Sequence, residues 1–242
     1  MHILTADVLN GDYKLPHPVS IICSGSSGSG KVSSGIFIVS SLIFPFQTTF
    51  IKNLILHRKF TKTPKKIYYI YPKELEIPPV NWDQIFPDID VEFIADLPNY
   101  SSFWTNLKRD SLVVIDDLWS SACNNEHISN CFKVYSKKYK FSIAIITQNF
   151  FEQSKYSQNI RQNSEIVCLF ENYGNYLTNK HAVEKLGFGQ VYQEAADCAY
   201  NRRYGYILIN KSPALPSRRF RICTNFFGEF RDNPFTIFFC DN

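Results

Sequence analysis

The chain has 242 residues, of which 45% are hydrophobic and 16% aromatic, and its net charge is +4 with a pI near 8.6. That is enough apolar material for one sizeable core, and a charged fraction of only 20% leaves no segment with the composition of a disordered tail. So mild a positive excess permits contact with nucleic acid without requiring it.

The cysteines Cys23, Cys123, Cys131, Cys168, Cys198, Cys223 and Cys240 are scattered. None forms a C-x-x-C pair or stands at finger-like spacing with histidine, which argues against zinc and for reduced thiols in an intracellular protein. The opening MHILTADVLNGDYK lacks a basic stretch followed by an apolar one and does not read as a secretory signal. The longest nearly apolar run, Gly35 to Phe46, is broken by serines and a proline and is too short to span a bilayer. A soluble intracellular protein without a membrane partner is the expectation.

Strands and helices alternate along the chain. Val19 to Cys23 is a β-rich apolar run that ends in a Ser/Gly cluster, and an apolar helical stretch is expected from about Lys31 to Phe44. Ile67 to Tyr71 and Val91 to Ile94 read as strands, and Leu112 to Ile115, Ser142 to Thr147 and Ile166 to Phe170 as buried strands. Asn124 to Tyr139 reads as an amphipathic helix, with Ile128, Cys131, Tyr135 and Tyr139 on one face and Asn130, Lys133, Lys137 and Lys140 on another. Two helical segments follow Asn179, the second near Gln190 to Tyr200, and Tyr204 to Ile209 and Phe220 to Phe227 read as strands that extend the sheet. Near-continuous apolar strands alternating with helices predict a three-layer α/β fold with a mostly parallel central sheet. No repeat or linker divides it. Residues 1–18 read as an N-terminal extension and 19–242 as one domain, with an extension of helices and strands from about 178.

Gly25-Ser-Ser-Gly28-Ser-Gly30-Lys31 fits G-x-x-x-x-G-K between a strand and a helix. In that setting the glycines let the loop wrap closely, its backbone N–H groups face a β-phosphate, and the helix N-terminus adds a favourable dipole. The candidate phosphate-binding set is therefore Gly25, Ser26, Ser27, Gly28, Ser29, Gly30, Lys31, Val32 and Ser33, with Lys31 reaching the β- and γ-phosphates of ATP. One position departs. The motif places Ser or Thr after the lysine because that hydroxyl binds Mg²⁺, and Val32 stands there. Ser33 is no simple substitute, since one residue along a helix rotates a side chain by about 100°.

Leu112-Val-Val-Ile115-Asp116-Asp117 is an apolar strand ending in two carboxylates, the Walker B pattern. Asp116 is the candidate for the Mg²⁺ shell and Asp117 for orienting the attacking water. Ligands of open α/β sheets bind beyond the carboxyl ends of the strands, where this pair and the Gly loop would converge. Gln148 ends another buried strand and is the candidate sensor of the γ-phosphate. Arg161 precedes the following strand, in a segment read as a loop, and is the candidate arginine that stabilises developing charge across a subunit boundary.

In this order and spacing the motifs resemble the FtsK/HerA-type packaging ATPases of double-stranded DNA viruses, with the likeness strongest to the small versions in Polintons and adintovirus-like elements. The resemblance is carried by Phe50 to His57, Pro64 to Tyr71, Val91 to Ile94 with Leu97-Pro98, Leu112 to Leu118, Ile143 to Phe150, Tyr204 to Asn210 and Arg221 to Phe226, and it covers about Val19 to Phe227. Val32 departs from it, as does Gln158, where an arginine is expected. The resemblance implies a P-loop NTPase fold of the RecA/FtsK-like kind and Mg²⁺-dependent ATP hydrolysis. It also implies a homo-oligomeric ring that threads double-stranded DNA into a capsid through a portal vertex, at a nuclear or cytoplasmic assembly site in the host. Lys133, Lys137, Lys138 and Lys140, the pair Arg202 and Arg203, and Arg218, Arg219 and Arg221 could meet DNA phosphates or be solvated surface.

Four other classes share parts of this pattern. A nucleoside or nucleotide kinase has the loop, but it needs an arginine-bearing lid, and the Asp116-Asp117 end with Gln148 suits water activation better. Transporter ATPases carry a Ser-Gly-Gly-Gln-like signature that is missing, and a replicative helicase usually carries a further domain for which there is no room. An inactive P-loop protein serving as a structural subunit is supported by Val32 alone.

Overall fold

The computed structural model describes residues 3–5, 13–25, 46–148, 150–151, 153–171, 180–181, 183–184, 189–201, 205–213, 221–227 and 236–238. Its strands are β1 (Ile3–Thr5), β2 (Ser20–Ser24), β3 (Lys66–Tyr71), β4 (Asp90–Ala95), β5 (Ser111–Asp116), β6 (Ser142–Thr147), β7 (Ile166–Phe170), β8 (Tyr206–Asn210), β9 (Ile222–Thr224) and β10 (Thr236–Phe238). All ten form one sheet in the order β1-β10-β9-β8-β7-β2-β6-β5-β3-β4. From β7 to β4 every pairing is parallel, and from β7 to β1 every pairing is antiparallel.

The helices are α1 (Phe46–Leu56), α2 (Trp82–Ile85), α3 (Ser101–Thr105), α4 (Trp119–Asn124), α5 (Glu126–Asn130), α6 (Ser136–Tyr139), α7 (Ser157–Asn163) and α8 (Gly189–Tyr200), with a π-helical turn, Cys131–Tyr135, joining α5 to α6. None among the described residues is long and apolar enough to cross a membrane.

The two faces of the sheet explain why the central strands are apolar throughout. Successive side chains point to opposite faces, and β5 shows the result: Leu112 and Val114 belong to one buried cluster, Val113 and Ile115 to the other. The first cluster takes Phe50, Ile51, Leu54 and Ile55 from α1 and Trp82 from α2. The second takes Trp119 and Ala122 from α4, Ile128 from α5, Ile160 from α7 and Tyr192, Ala195 and Ala199 from α8. A strand covered on both sides has no polar face to display, so it carries an unbroken apolar run. The three-layer α/β arrangement with a mostly parallel sheet is the one expected.

Two departures have physical causes. The amphipathic stretch expected to run from Asn124 to Tyr139 starts two residues later, at Glu126, and runs through α5, the π-helical turn and α6. Asn125 is extended (φ −101°, ψ 119°), and its side chain caps α5 by accepting from the N–H groups of His127 and Ile128 at 2.8 and 3.4 Å. Its apolar face is nonetheless the expected one, with Ile128 and Cys131 buried and Tyr135 and Tyr139 packed against the same cluster. The chain also adds β1 and β10 at the antiparallel edge, where β1 pairs with β10 from the far end of the sequence. The helix expected from Lys31 to Phe44 lies outside the described residues.

Candidate functional site

Parallel pairing gathers the carboxyl ends of the strands at one edge. Ser24 of β2 is in register with Thr147 of β6, and Asp116 of β5 with Ile146 of β6. The residues just past these ends, Gly25, Asp117 and Gln148, are therefore neighbours. Backbone bonds fasten them: the Gly25 N–H donates to the Thr147 carbonyl at 3.2 Å, and the Asp117 N–H to the Ile146 carbonyl at 3.2 Å. β6 lies between the strand that leads into the Gly loop and the strand that ends in carboxylates, which is the arrangement in which a polar residue on the inserted strand faces the γ-phosphate or the water.

The two carboxylates sit in different surroundings. Period-two alternation sends Asp116 to the same side as Leu112 and Val114, under α1. There its carboxylate is 5% exposed, and its Oδ2 accepts from the Tyr69 hydroxyl in a short bond and from the Thr48 Oγ1 at 3.4 Å. Burial pushes the Asp116 carboxyl up to about 6, against the opposing pull of the Tyr69 bond and with a further push from Asp117. The Tyr69 hydroxyl is driven well above its ordinary range by its own burial and by the Asp116 charge, and it also bonds Thr48. The Asp116 Oδ1 has no hydrogen-bond partner among the described residues.

Asp117 is exposed and adopts φ 53°, in the left-handed region that costs a non-glycine residue about 1 kcal/mol and that Asp and Asn tolerate best. The turn is what releases its side chain from the strand and aims it outward, toward Gln148, whose Nε2 donates to the Asp117 Oδ1 at 3.4 Å. Partial burial raises the Asp117 carboxyl, and the Gln148 bond opposes that shift. Gln148 is exposed as well. The pair presents one acceptor and one amide to the space beyond the strand ends.

Arg161 lies in the last turn of α7, not on a loop. Its Nη1 donates to the Phe150 carbonyl at 3.0 Å, and the guanidinium stands 5.9 Å from the centroid of the Phe150 ring. It thus braces the segment just past Gln148 in its own chain, and reaching a neighbouring subunit would mean releasing Phe150. Of the basic groups, Lys137 is engaged, donating to the Glu165 Oε2 and to the Pro18 carbonyl at 2.6 Å each. Lys138 lies over the Tyr139 ring. Ser26 to Ser33, Arg202, Arg203, Arg218 and Arg219 lie outside the described residues.

The site therefore joins Asp116, Asp117 and Gln148 as expected, and adds Tyr69 and Thr48. Tyr69 sits inside a run, IYYIY, that reads simply as an apolar strand; only its place on the same face as Ile67 and Tyr71, opposite to Tyr68 and Ile70, puts its hydroxyl on the side of Asp116. No cluster of three or more His, Cys, Asp or Glu residues that could hold a metal ion occurs among the described residues. Mg²⁺ at phosphoryl-transfer sites is typically held by one or two carboxylates together with substrate phosphates and water. Asp116, with one oxygen tied back by two hydroxyls and the other without a partner among the described residues, fits that donor set.

The strand order β7-β2-β6-β5-β3, with the Gly loop after β2 and the carboxylates after β5, defines a three-layer α/β domain of the P-loop NTPase type. No family profile and no curated protein matches the sequence. Among solved structures the chain is similar to the genome packaging NTPase B204 from Sulfolobus turreted icosahedral virus 2 in complex with sulfate (12% identity over 80% of this chain and 92% of that one, TM-score 0.49). It is also similar to B204, the DNA-packaging ATPase from Sulfolobus turreted icosahedral virus (14%, 86% and 97%, TM-score 0.47), and to the flagellar accessory protein FlaH from Methanocaldococcus jannaschii (13%, 69% and 78%, TM-score 0.40). At this degree of likeness none of them assigns a residue or an activity to this chain.

Proposed function

We propose that the protein is a Mg²⁺-dependent ATPase whose hydrolysis drives double-stranded DNA into a viral capsid, working as a homo-oligomeric ring at the capsid portal. One observation carries the ATPase part: a buried carboxylate, an exposed carboxylate and an amide stand together beyond the carboxyl ends of adjacent parallel strands, beside the strand that enters a G-x-x-x-x-G-K loop. The DNA and capsid part rests on the resemblance of the motif series to packaging ATPases.

In this reading the backbone of Gly25 to Lys31 and the Lys31 ammonium hold the phosphates of ATP. Asp116 orients the metal's shell, with Tyr69 and Thr48 fixing the carboxylate. Bound Mg²⁺ supplies charge neutralisation at the phosphates. Asp117 and Gln148, already hydrogen-bonded to each other, align the attacking water, and Asp117 accepts its proton as the γ-phosphoryl group leaves ADP. Arg161 is the candidate for charge stabilisation in trans, and to act so it must leave Phe150.

The test is ATP turnover with and without double-stranded DNA, beside Lys31→Ala and Asp117→Asn. Asn tolerates the left-handed backbone of position 117, so that variant removes the charge and little else. DNA-stimulated turnover that falls by on the order of 100-fold or more in Asp117→Asn is expected. Phosphoryl transfer to a nucleoside in place of water, or unchanged turnover in Asp117→Asn, would overturn the reading.

A further inference from the structure

The hydroxyl that P-loop NTPases carry directly after the lysine has two marks: it shares the metal with the carboxylate at the end of the acidic strand, and it sits in the first turn of the helix that follows the loop. In this protein both marks fall on Thr48. Its Oγ1 bonds the Asp116 Oδ2 at 3.4 Å, both residues are buried, and Thr48 is in the first turn of α1. Yet Lys31 and Thr48 are far apart in sequence.

The position of α1 agrees. A helix that follows the loop must cross back over the strand that leads into it. At its start α1 reaches β5 through Thr48 and Asp116; further along, the Phe50 ring packs on Phe170 of β7 at 6.3 Å and on Tyr206 of β8 at 5.1 Å. β6 and β2 lie between β5 and β7 in the sheet, so α1 spans both. It occupies the place of the phosphate-loop helix.

The sequence completes the argument. If Lys31 were followed directly by Thr48, the chain would read Gly25-Ser-Ser-Gly-Ser-Gly-Lys31-Thr48-Thr49-Phe50-Ile51-Lys52, a full G-x-x-x-x-G-K-T motif opening an amphipathic helix. Residues 32–47, VSSGIFIVSSLIFPFQ, contain no charged side chain in a chain that is 20% charged. Their boundaries are distinctive at the level of codons. Every valine codon begins with GT, one of the two glutamine codons ends with AG, and Phe44-Pro45-Phe46 ahead of Gln47 is encoded largely by pyrimidines. Val32 and Gln47 are thus residues whose codons can supply the GT and AG that bound an intervening sequence in RNA, and removing whole codons keeps the reading frame.

We propose that residues 32–47 are an interposed segment of RNA origin that splits the phosphate loop, and that the nucleotide-competent protein joins Lys31 to Thr48. Thr48 then supplies the hydroxyl that Val32 lacks. The departure at Val32 is accordingly not a degenerate active site but the first residue of the insertion. This inference rests on the ATPase reading and says which form of the chain performs it, so the turnover comparison of Lys31→Ala and Asp117→Asn is made in the chain lacking residues 32–47.

The experiment compares the full chain with a variant lacking residues 32–47, measuring binding of a fluorescent ADP analogue with and without Mg²⁺ and, separately, folding by circular dichroism and thermal melting. The shortened chain is expected to bind more tightly by about tenfold or more, with an affinity that depends on Mg²⁺. Thr48→Ala in that shortened chain is expected to weaken the Mg²⁺-dependent part by roughly 10- to 100-fold, whereas Thr48→Ser keeps it. Val32→Thr in the full chain is expected to gain nothing. Equal Mg²⁺-dependent binding by the full and shortened chains, or rescue by Val32→Thr, overturns the inference while leaving the ATPase reading standing. A folded shortened chain that binds no nucleotide overturns both. Sequencing mature transcripts is expected to find Lys31 and Thr48 codons joined, and transcripts that all retain the segment would overturn the RNA origin.

Discussion

The parallel and antiparallel halves of the sheet both hold fully buried strands, β5 in one and β8 in the other, but their strand ends differ. β8, in the antiparallel half, closes on itself: the Asn210 Nδ2 donates to the Tyr13 hydroxyl at 2.8 Å, the Ser212 N–H donates to the Asn210 Oδ1 at 2.9 Å, and the Tyr206 hydroxyl accepts from the Phe226 N–H at 2.7 Å. In the parallel half, Asp117 and Gln148 are exposed and bonded only loosely to each other. Antiparallel strands send alternate ends to opposite edges, so each end must be satisfied locally. Parallel strands collect all their carboxyl ends at one edge, and a site can be shared among them.

The sharpest break of that contrast is Leu208→Ala, deep in the antiparallel half. Leu208 is fully buried, so the variant is expected to lose about 2–5 kcal/mol in urea unfolding while nucleotide affinity of the folded protein stays unchanged. A matching loss of affinity would mean the halves are not separable.

Asp116→Asn is expected to act in the opposite sense. The folded carboxyl lies at about 6 and the unfolded one at the ordinary value of 3.8, so between those values the folded state holds the extra proton and stability falls as pH rises. Above pH 6 the Asn variant, with no charge to bury, is expected to be more stable than the parent by on the order of 2–3 kcal/mol in the absence of nucleotide, and the difference vanishes toward pH 4. On the ATPase reading, Mg²⁺-dependent nucleotide binding by the chain lacking residues 32–47 is expected to be lost in the same variant. Denaturation curves at several pH values check the first part, and nucleotide titrations the second.

Tyr69→Phe gives the smallest change, about 1–3 kcal/mol, because it removes a single donor from a buried carboxylate. It raises the Asp116 carboxyl further, so the pH midpoint of Mg²⁺-dependent binding moves upward.

How much of this was legible depends on where each signal lies. β2, β3, β5, β6 and β7 were readable because burial on both faces writes an apolar run into consecutive residues, and the more exposed edge strand β4 because Val91, Phe93 and Ile94 stand close together. β1 and β10 were not, since three-residue strands at opposite ends of the chain have only each other and β9 to define them. Asp116, Asp117 and Gln148 stood out as polar residues ending apolar runs. Thr48 did not, because a motif is searched for in adjacent residues and its partner Lys31 is remote. Tyr69 was hidden by being aromatic in an aromatic strand. The loop assigned to Arg161 is a helix because Ser157 and Ile160 supply a buried face too short for a periodic signal.

Arg161 is fastened at both ends. Its guanidinium holds Phe150, two residues beyond Gln148, while its carbonyl accepts from the Lys211 Nζ at 2.9 Å, just past β8. Burial lowers that lysine to about 8, so near neutral pH the clasp is mostly charged and strong, and it loosens in mild alkali. One side chain and one helix end therefore form a strut between the segment just past Gln148 and the chain that leaves β8, so the carboxyl edge of the parallel strands and the antiparallel half of the sheet are mechanically joined at Arg161.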